Sequence, residues 1–498
     1  MDNSIKDRKL YENSAVIVAA LCMVFLAILF SVSIFRTVVY ADDVRLGEYM
    51  LSEVDSGFFN IILLTVMACA SYLVYRVCEH IDFKLLNALM LLWILFWGFM
   101  FVYSASRVPE GDAELIANTA FLSAGGNYSV MAEYLNQNPF GVGLAFYEEL
   151  LIRFLKIGFP DISKGYCFMA LQLVNVFLLA VSALMLVELG GILFGSKDVQ
   201  KLLSLFLMLF VPVYLGCTAV NGKLAAFSFS VAALLFFVLY SNKRKIWFVL
   251  ISAVCMGISL SMKLDALVVL AAIILVWLIC VAKERKTKAF IAFSLFAFTT
   301  VSVSVAPLLL HSYRSEGNAL SSVTTLREAM GFDETERGNL IYSGMYSAVN
   351  YNISGVYEIE KKTEHEDIIT EFYRQWNEPQ FGSIHSNKNS NHYRETGRLY
   401  NFVCNSGEKL ISMYLNLFQS FLLGGAVISM VRLMRERQLF KLLPAIVLLG
   451  GVVLHLIFPA ESSYAMKYYL IMLPLSAHGY WVFFERFWAK QDRNSENG

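Results

Sequence analysis

AVIVAALCMVFLAILFSVSIF, residues 15–35, decides the fold. The run carries no charge, is too long for the apolar core of a secretory signal, and follows a basic segment without a cleavage site. It reads as a retained membrane-spanning helix, because about 20 apolar residues rising 1.5 Å each match a hydrocarbon core of about 30 Å. Working outward from it, similar runs recur near 58–77, 84–105, 166–190, 201–217, 224–241, 246–262, 265–282, 288–310, 409–431, 439–458 and 466–486. The expected fold is therefore an all-α integral membrane protein of about twelve transmembrane helices. Hydrophobic residues make up 57% of the chain and charged residues 16%, so the bilayer is its solvent. The 40 basic and 40 acidic side chains cancel, which leaves no net field to attract nucleic acid.

Charge placement orients the spans. The clusters Lys6/Arg8/Lys9, Lys243/Arg244/Lys245, Lys283/Arg285/Lys286/Lys288 and Arg432/Arg435/Arg437 all fall on one side of a twelve-span path, and the positive-inside bias makes that side cytoplasmic. Both termini then face the cytoplasm of a multi-pass plasma-membrane protein. The chain divides into three N-terminal spans (1–105), a first outer loop with interfacial helices (106–165), a six-helix membrane core (166–310), an extracytoplasmic loop or cap (311–408), three C-terminal spans (409–486) and a cytoplasmic tail (487–498). In the first outer loop, Ala113–Ala124 and Phe140–Ile157 are amphipathic. The second of these interleaves Leu144, Leu150, Leu151 and Leu155 with Glu148, Glu149, Arg153 and Lys156, a pattern suited to a helix lying in the membrane interface. The second loop contains the helix-like run Glu364–Trp376 and is expected to fold as a small cap.

Several familiar chemistries have no motif here. The eight cysteines lie almost all in apolar spans and show no CxxC spacing, and no phosphate loop, GxSxG elbow or HExxH helix is present. No internal repeat of the transporter kind is visible. Asn127-Tyr-Ser and Asn352-Ile-Ser match the N-glycosylation triplet and fall on the outer side.

Asp112, in Val108-Pro-Glu-Gly-Asp-Ala-Glu114, sits just beyond the third span. A carboxylate at the water–lipid boundary suits a general base, and with Glu114 two positions on it is also the place for a divalent metal if there is one. An Asp before Ala-Glu-Leu-Ile equally suits a helix N-cap. Lysines in short outer hairpins run against the positive-inside bias, and three appear: Lys223, Lys263 and Lys467. A cation at the outer surface is a natural partner for a lipid phosphate, and His311 and Arg314 beyond the ninth span extend the same rim. Snorkelling from a helix end explains such lysines as well, and pairing of Lys263 with Asp265 would count against a phosphate role for it.

Four segments together resemble a GT-C-type polytopic glycosyltransferase, of the branch related to protein O-mannosyltransferases and bacterial lipid-linked-sugar transferases. The first is Pro109-Glu-Gly-Asp112 with Ala117, Phe121, Gly126-Asn-Tyr128, Asn138-Pro-Phe-Gly and Glu148-Glu-Leu-Leu, similar to that family's first outer loop. The second, Met256-Gly-Ile-Ser-Leu-Ser-Met-Lys263, resembles its Gly-x-small-x-x-x-Lys stretch. The third runs from Glu461 through Tyr468 to Pro474, with Lys467 where an arginine is more usual. The fourth is Ala329-Met-Gly331 with Gly344, Tyr346 and Ile368 to Trp376. One departure stands out: related bacterial chains read Tyr-Gly-acid where this one reads Asn221-Gly222-Lys223, which puts specificity in question.

The resemblance implies a membrane glycosyltransferase that moves a hexose, mannose-like, from a polyprenyl-phosphate sugar to an acceptor on the outer face. It implies that Asp112 is the base, that Lys263, Lys467, His311 and Arg314 receive the donor phosphate, and that Glu114, Asn138, Glu148, Glu461 and Tyr468 contact acceptor or sugar. The partners are then the lipid-linked sugar, the bilayer, and an unnamed glycan, lipid or protein acceptor. Asp42-Asp43 is a rival acidic pair, ranked lower because no amphipathic loop follows it. A polysaccharide polymerase or ligase, a lipid-linked glycan flippase, and a non-catalytic relative are the alternative readings. A flippase would place ionisable residues deep in its spans, whereas here they collect at the outer rim. A cysteine introduced within residues 320–400 should react with a membrane-impermeant thiol reagent in intact cells, and one at Lys243 should not; the reverse pattern overturns the orientation.

Overall fold

The computed structural model describes residues 2–38, 45–46, 49–50, 56–128, 135, 139–284, 287–314, 375–457 and 462–496. Apart from a two-residue ribbon pairing Arg45–Leu46 with Tyr49–Met50 and one isolated bridge, these residues are helical or irregular. The long elements are α1 (Asp2–Val38), α2 (Gly57–Glu79) and α3 (Phe83–Ala105), then the shorter α4 (Asp112–Ala124) and α5 (Val142–Gly158). There follow α6 (Lys164–Phe194), α7 (Lys197–Leu209), α8 (Pro212–Gly216), α9 (Lys223–Lys243), α10 (Ile246–Met262), α11 (Leu267–Glu284) and α12 (Thr287–Arg314). Beyond the undescribed stretch come α13 (Ser383–Lys388), α14 (Arg398–Asn401), α15 (Glu408–Glu436), α16 (Leu443–Ile457) and α17 (Met466–Glu496). Among the described residues, eight helices are long and apolar enough to cross a membrane, and two shorter apolar helices, Ile246–Met262 and Leu264–Cys280, lie between them. The chain is an all-α, multi-pass membrane protein.

One expected span is broken. The run 201–217 is not a continuous helix: α7 stops at Leu209 and α8 starts at Pro212. Proline has no N–H to donate and its ring collides with the carbonyl four residues back, so the helix cannot run through position 212. The carbonyls this releases are met by side chains from neighbouring helices. Trp93 Nε1 donates to Met208 O at 2.9 Å, and the hydroxyls of Tyr214 and Tyr414 donate to Met208 O and Leu209 O at 3.0 and 2.7 Å. Irregular backbone at this depth survives only with such partners or beside a cavity, and the stretch after the break has both.

Between helices, packing is close and the polar contacts are small. Ser33 and Thr37 of α1 bond Ser420 of α15, Ser182 of α6 bonds Ser228 of α9, and Ser230 of α9 bonds Ser259 of α10. Where α15 crosses α17, a Cβ on Gly479 would lie 1.8 Å from the carbonyl oxygen of Gly425. Only two glycines let those backbones approach so nearly.

The helix ends sort into two faces. Glu79, Lys201, Glu12, Arg437 and Tyr11 meet at one end, through Lys201 to Glu79 O, Arg437 to Glu12 and Tyr11 to Leu439 N. At the other end stand the C-termini of α3, α10 and α12 and the N-termini of α9, α15 and α17, covered by α4, α5 and residues 375–407. The two amphipathic stretches of the first loop are α4 and α5. On α5 the exposed stripe is apolar, Leu150, Phe154 and Ile157, while Glu148 and Glu149 are buried. That inverts the polarity of a soluble surface helix and suits one lying against lipid. Of the expected run Glu364–Trp376 only the last two residues are described, and Asn352 lies outside the described residues. Gly479→Ala should destabilise the protein by about 1–3 kcal/mol through overpacking, read as a lower unfolding midpoint in detergent; an unchanged midpoint would show that the α15–α17 crossing tolerates separation.

Candidate active site

The covered end is built by stapling two distant segments together. Beyond α3, Val108 N–H donates to Asn391 O at 2.8 Å and Ser106 O accepts from Tyr393 N–H at 2.9 Å. Glu110 accepts from Asn391 N–H at 2.7 Å, and Ser104 O accepts from Gly397 N–H at 2.8 Å. The first and second loop segments are thus one layer. A buried turn prepares the second: Glu378 takes backbone N–H bonds from Gln380 and Gly382, and its carboxyl is nonetheless held above the usual range by burial. Phe381 and Gly382 adopt left-handed backbone there, with φ of 51° and 62°, which swings the chain into α13.

Under this layer lie two ion clusters, divided by α5. Successive helix residues point about 100° apart, so Glu148 and Glu149 face different neighbours. Glu149 joins Arg314 of α12, whose Nη1 lies 3.0 and 2.9 Å from its two oxygens, and Arg153, at 2.8 Å. Arg153 also bonds Tyr128 Oη at 2.6 Å, and the Arg314 guanidinium lies 4.9 Å from the Tyr128 ring centre. His311 lines the same small pocket.

Glu148 faces the other cluster. Lys467, at the start of α17, is ion-paired with Asp265, in the turn Leu264–Ala266 before α11. Lys263, at the end of α10, feels the charges of Asp265, Asp112 and Glu148, while burial pushes its ammonium below the usual lysine range. Glu148 is 2% exposed and its Oε2 has no hydrogen-bond partner. Burial pushes its carboxyl up to about 8, with Lys263 pulling the other way. Four separate segments therefore bring three acids and two lysines to one place.

Of the residues expected from sequence, Asp112, Glu148, Lys263 and Lys467 come together. His311 and Arg314 do not join them: they belong to the Glu149 cluster on the far side of α5. Glu114 is exposed on α4, where its charge acts on Tyr393 rather than on the lysines. Tyr468 is wholly buried, stacked on Trp376 at 5.7 Å and in contact with His455, and its ring lies 4.8 Å from the Lys467 ammonium, so it borders the cluster from the core side. Asn138, Glu461, Asp42 and Asp43 lie outside the described residues. For a metal, Asp112 and Glu114 are a poor fit, one half-buried and the other exposed, and no group of three His, Cys, Asp or Glu side chains among the described residues could hold an ion.

Beside the second cluster opens a cavity of about 300 Å³. Its walls include Arg107, Glu110, Asn221, Lys223, Asn387 and Ser390, and part of its floor is the end of α8 and the turn beyond it, at Leu215, Gly216 and Ala219. Lys223 is fixed by Ser463 Oγ at 2.7 Å and by the Tyr464 ring at 3.9 Å. A smaller pocket, sharing Lys223, Ser463 and Met466 with the cavity, reaches Asp265 and Lys467. Arg107, just beyond the end of α3, resembles Lys223 in being a cation at a helix end on the covered side, a signal the short-hairpin pattern does not include.

No protein-family model matches the sequence, and no curated protein matches it. Three solved structures of the oligosaccharyltransferase of Archaeoglobus fulgidus are similar in fold, at 11–12% identity and TM-scores of 0.43–0.44. One is tethered to an acceptor peptide containing the NVT sequon, one is the apo form, and one is in complex with an inhibitory peptide and a dolichol-phosphate. The likeness covers 82–84% of this chain and 50–52% of theirs, so the chain spans about half the length of these neighbours.

Glu148 generates a pH prediction. Its carboxyl holds its proton up to about pH 8 when folded, against an ordinary value of 4.5. Between those values the unfolded chain has released the proton and the folded chain has not, so folding stability falls as pH rises across the window. Glu148→Gln should abolish that slope, giving a variant more stable than the parent at pH 8 and nearly equal to it at pH 4.5. Parallel stability profiles for the two proteins would place Glu148 in an ordinary, solvated setting.

Proposed function

We propose that this chain is a GT-C-type glycosyltransferase that transfers a sugar from a polyprenyl-phosphate donor to an acceptor hydroxyl at the outer face of the membrane. One observation carries the reading. Asp112, Glu148, Lys263, Asp265 and Lys467 come from four segments far apart in sequence, and they meet at one end of a membrane bundle, beside a polar cavity large enough for a small ligand. A bundle needing only stability would do as well without them, since buried ion pairs seldom stabilise more than apolar packing. Three of the four sequence segments that resemble the family contribute four of the five residues, Asp112 and Glu148 in the first, Lys263 in the second and Lys467 in the third. The face assignment rests on the basic residues 243–245 and 432–437, which lie at the opposite end of α9 and α15.

The chemistry follows from what each group can do. Asp112, half-buried and acting on Lys263, removes the proton from the acceptor hydroxyl as that oxygen attacks the anomeric carbon. The bond to the lipid phosphate breaks on the opposite side, inverting the centre, and Lys263 with Lys467 stabilises the departing phosphate. Glu148, held neutral, leaves the two lysines opposed by two carboxylates. His311 and Arg314, tied up with Glu149 across α5, have no part in this step.

Asp112→Asn keeps the size of the side chain, which follows the Gly111 N-cap as the first residue of α4 rather than capping the helix itself, and removes the base. Transfer from a polyprenyl-phosphate sugar should fall by roughly 10²-fold or more, within the range of general base catalysis, with little change in stability. Lys263→Met should weaken both donor binding and turnover by removing a charge-assisted contact to phosphate. Near-parental turnover in both variants, with a donor the parent uses, would sink the mechanism.

A further inference from the structure

Where α5 ends and α6 begins, the surface carries a patch that the transfer step leaves unused. Phe154, Ile157, Phe159 and Tyr166 are 74%, 80%, 66% and 60% exposed there, and Lys156 and Lys164 stand among them in the chain. We infer that this corner is an interfacial binding site for anionic phospholipid, its apolar side chains entering the bilayer and its two lysines receiving a headgroup phosphate. The inference does not depend on the glycosyltransferase reading: it concerns the lipid around the protein, and Lys263 and Lys467 keep the part proposed for them.

The depth of the corner follows from α6. That helix, Lys164–Phe194, is apolar enough to cross a membrane, and its 31 residues rise about 45 Å, which matches a bilayer with its headgroup layers rather than the hydrocarbon core alone. Its first turn, with Lys164 and Tyr166, therefore lies at headgroup level. The end of α5 is held at the same level by the short turn between the helices, where Ile162 N–H donates to Phe159 O at 3.1 Å. Large apolar side chains exposed there meet the boundary between headgroups and acyl chains, the place suited to aromatic rings and to the apolar face of an interfacial helix. The inner side of the corner is firmly packed, with Ile152 and Ile162 against Ala117, Ala120 and Phe168.

The charge at the corner favours an anion. Lys156 Nζ lies 4.4 Å from the centre of the Phe121 ring, and Lys164 Nζ lies 5.8 Å from that of Phe168. A ring face steadies an ammonium without cancelling its charge, which a carboxylate would do. Side chains held this way lose less freedom when a ligand arrives, so more of the contact energy appears as affinity. Several cations elsewhere at this end are matched by acids: Arg153 and Arg314 by Glu149, Lys467 by Asp265 and Lys388 by Glu408. Lys156 and Lys164 have no ion pair among the described residues, and Asp161, the acid of the connecting turn, is exposed and pairs with neither. Two cations against one carboxylate, at the level where lipid phosphates lie, select anionic over zwitterionic headgroups.

The test is lipid retention by the purified full-length protein, in micelles of an uncharged detergent doped equally with phosphatidylglycerol and phosphatidylcholine and read by native mass spectrometry. The parent should retain phosphatidylglycerol in excess. Lys156→Met with Lys164→Met should cut that excess by about tenfold or more, since each lysine near a lipid surface contributes about fivefold. Phe154→Ser with Ile157→Ser, which leaves the charges in place, should lower retention of both lipids together. Lys84→Met with Lys197→Met removes the same charge from exposed positions at the opposite end and should leave the excess as it is; an equal loss there would reveal an effect of net charge and overturn the site. Inorganic phosphate should not displace the lipid beyond what sodium chloride of the same ionic strength does, and displacement by it would point to a free-anion site instead. Equal retention of the two lipids by the parent, or a parental excess in the folded lysine variant, would also overturn the inference. If the double lysine variant fails to fold, Lys164→Met alone decides, with an expected loss of about fivefold.

Discussion

An apolar bundle cannot hydrate what it buries, and every polar group inside it must find its partner in the protein. That constraint explains both irregularities of this fold. At Pro212 the helix breaks and two carbonyls are released; Trp93, Tyr214 and Tyr414 are placed to take them up. At the covered end, Lys467 and Asp265 enter the protein as a pair, since either alone would leave an uncompensated charge. The two solutions are linked in space. The chain released by the break forms part of the cavity, and the smaller pocket that adjoins the cavity ends on the Asp265–Lys467 pair.

Two adjacent acids on α5 show how environment, and not residue type, assigns roles. Glu149 meets two guanidinium groups and, with Arg153, ties α12 and α4 to the layer above the bundle as a structural tether. Glu148, one position earlier, meets no hydrogen-bond donor at its Oε2 and keeps its proton into the neutral range. A neutral acid beside Lys263 leaves that lysine's charge to the ionised carboxylates and to an incoming anion. Ionised, Glu148 would compete for it. The α5 helix therefore separates the Glu149 cluster from the Glu148 and Lys263 cluster within a single turn of backbone.

Hydropathy and basic clusters located the helices well because burial in lipid is an average property, legible in any window of sufficient length. The same averaging hid the Pro212 break, since Pro212 sits among Leu, Met, Phe and Val and barely lowers the local mean. Lys263 and Lys467 were legible as lysines in short hairpins against the charge bias, and Asp112 as a carboxylate just beyond a span. His311 and Arg314 carried the same signature and went to the other cluster, because sequence gives the depth of a residue in the membrane but not its bearing around the helix axis. Which lysine Asp265 pairs with was equally hidden: Lys263 is two positions away, yet the ion pair forms with Lys467, brought in by α17. Arg107 was missed for a different reason. It lies at the end of a long loop rather than in a short hairpin, so its position against the charge bias went unweighed.

Lys223 is the residue that joins these parts. It lines both the larger cavity and the small pocket that reaches Lys467 and Asp265. Its ammonium is held by Ser463 Oγ at 2.7 Å and lies over the Tyr464 ring, while Lys467 is held by Asp265, so each of the two lysines that meet in the small pocket has its own partner on a different element. In surroundings of low dielectric charges act over longer distances than in water, so a change of charge at either lysine is felt at the other.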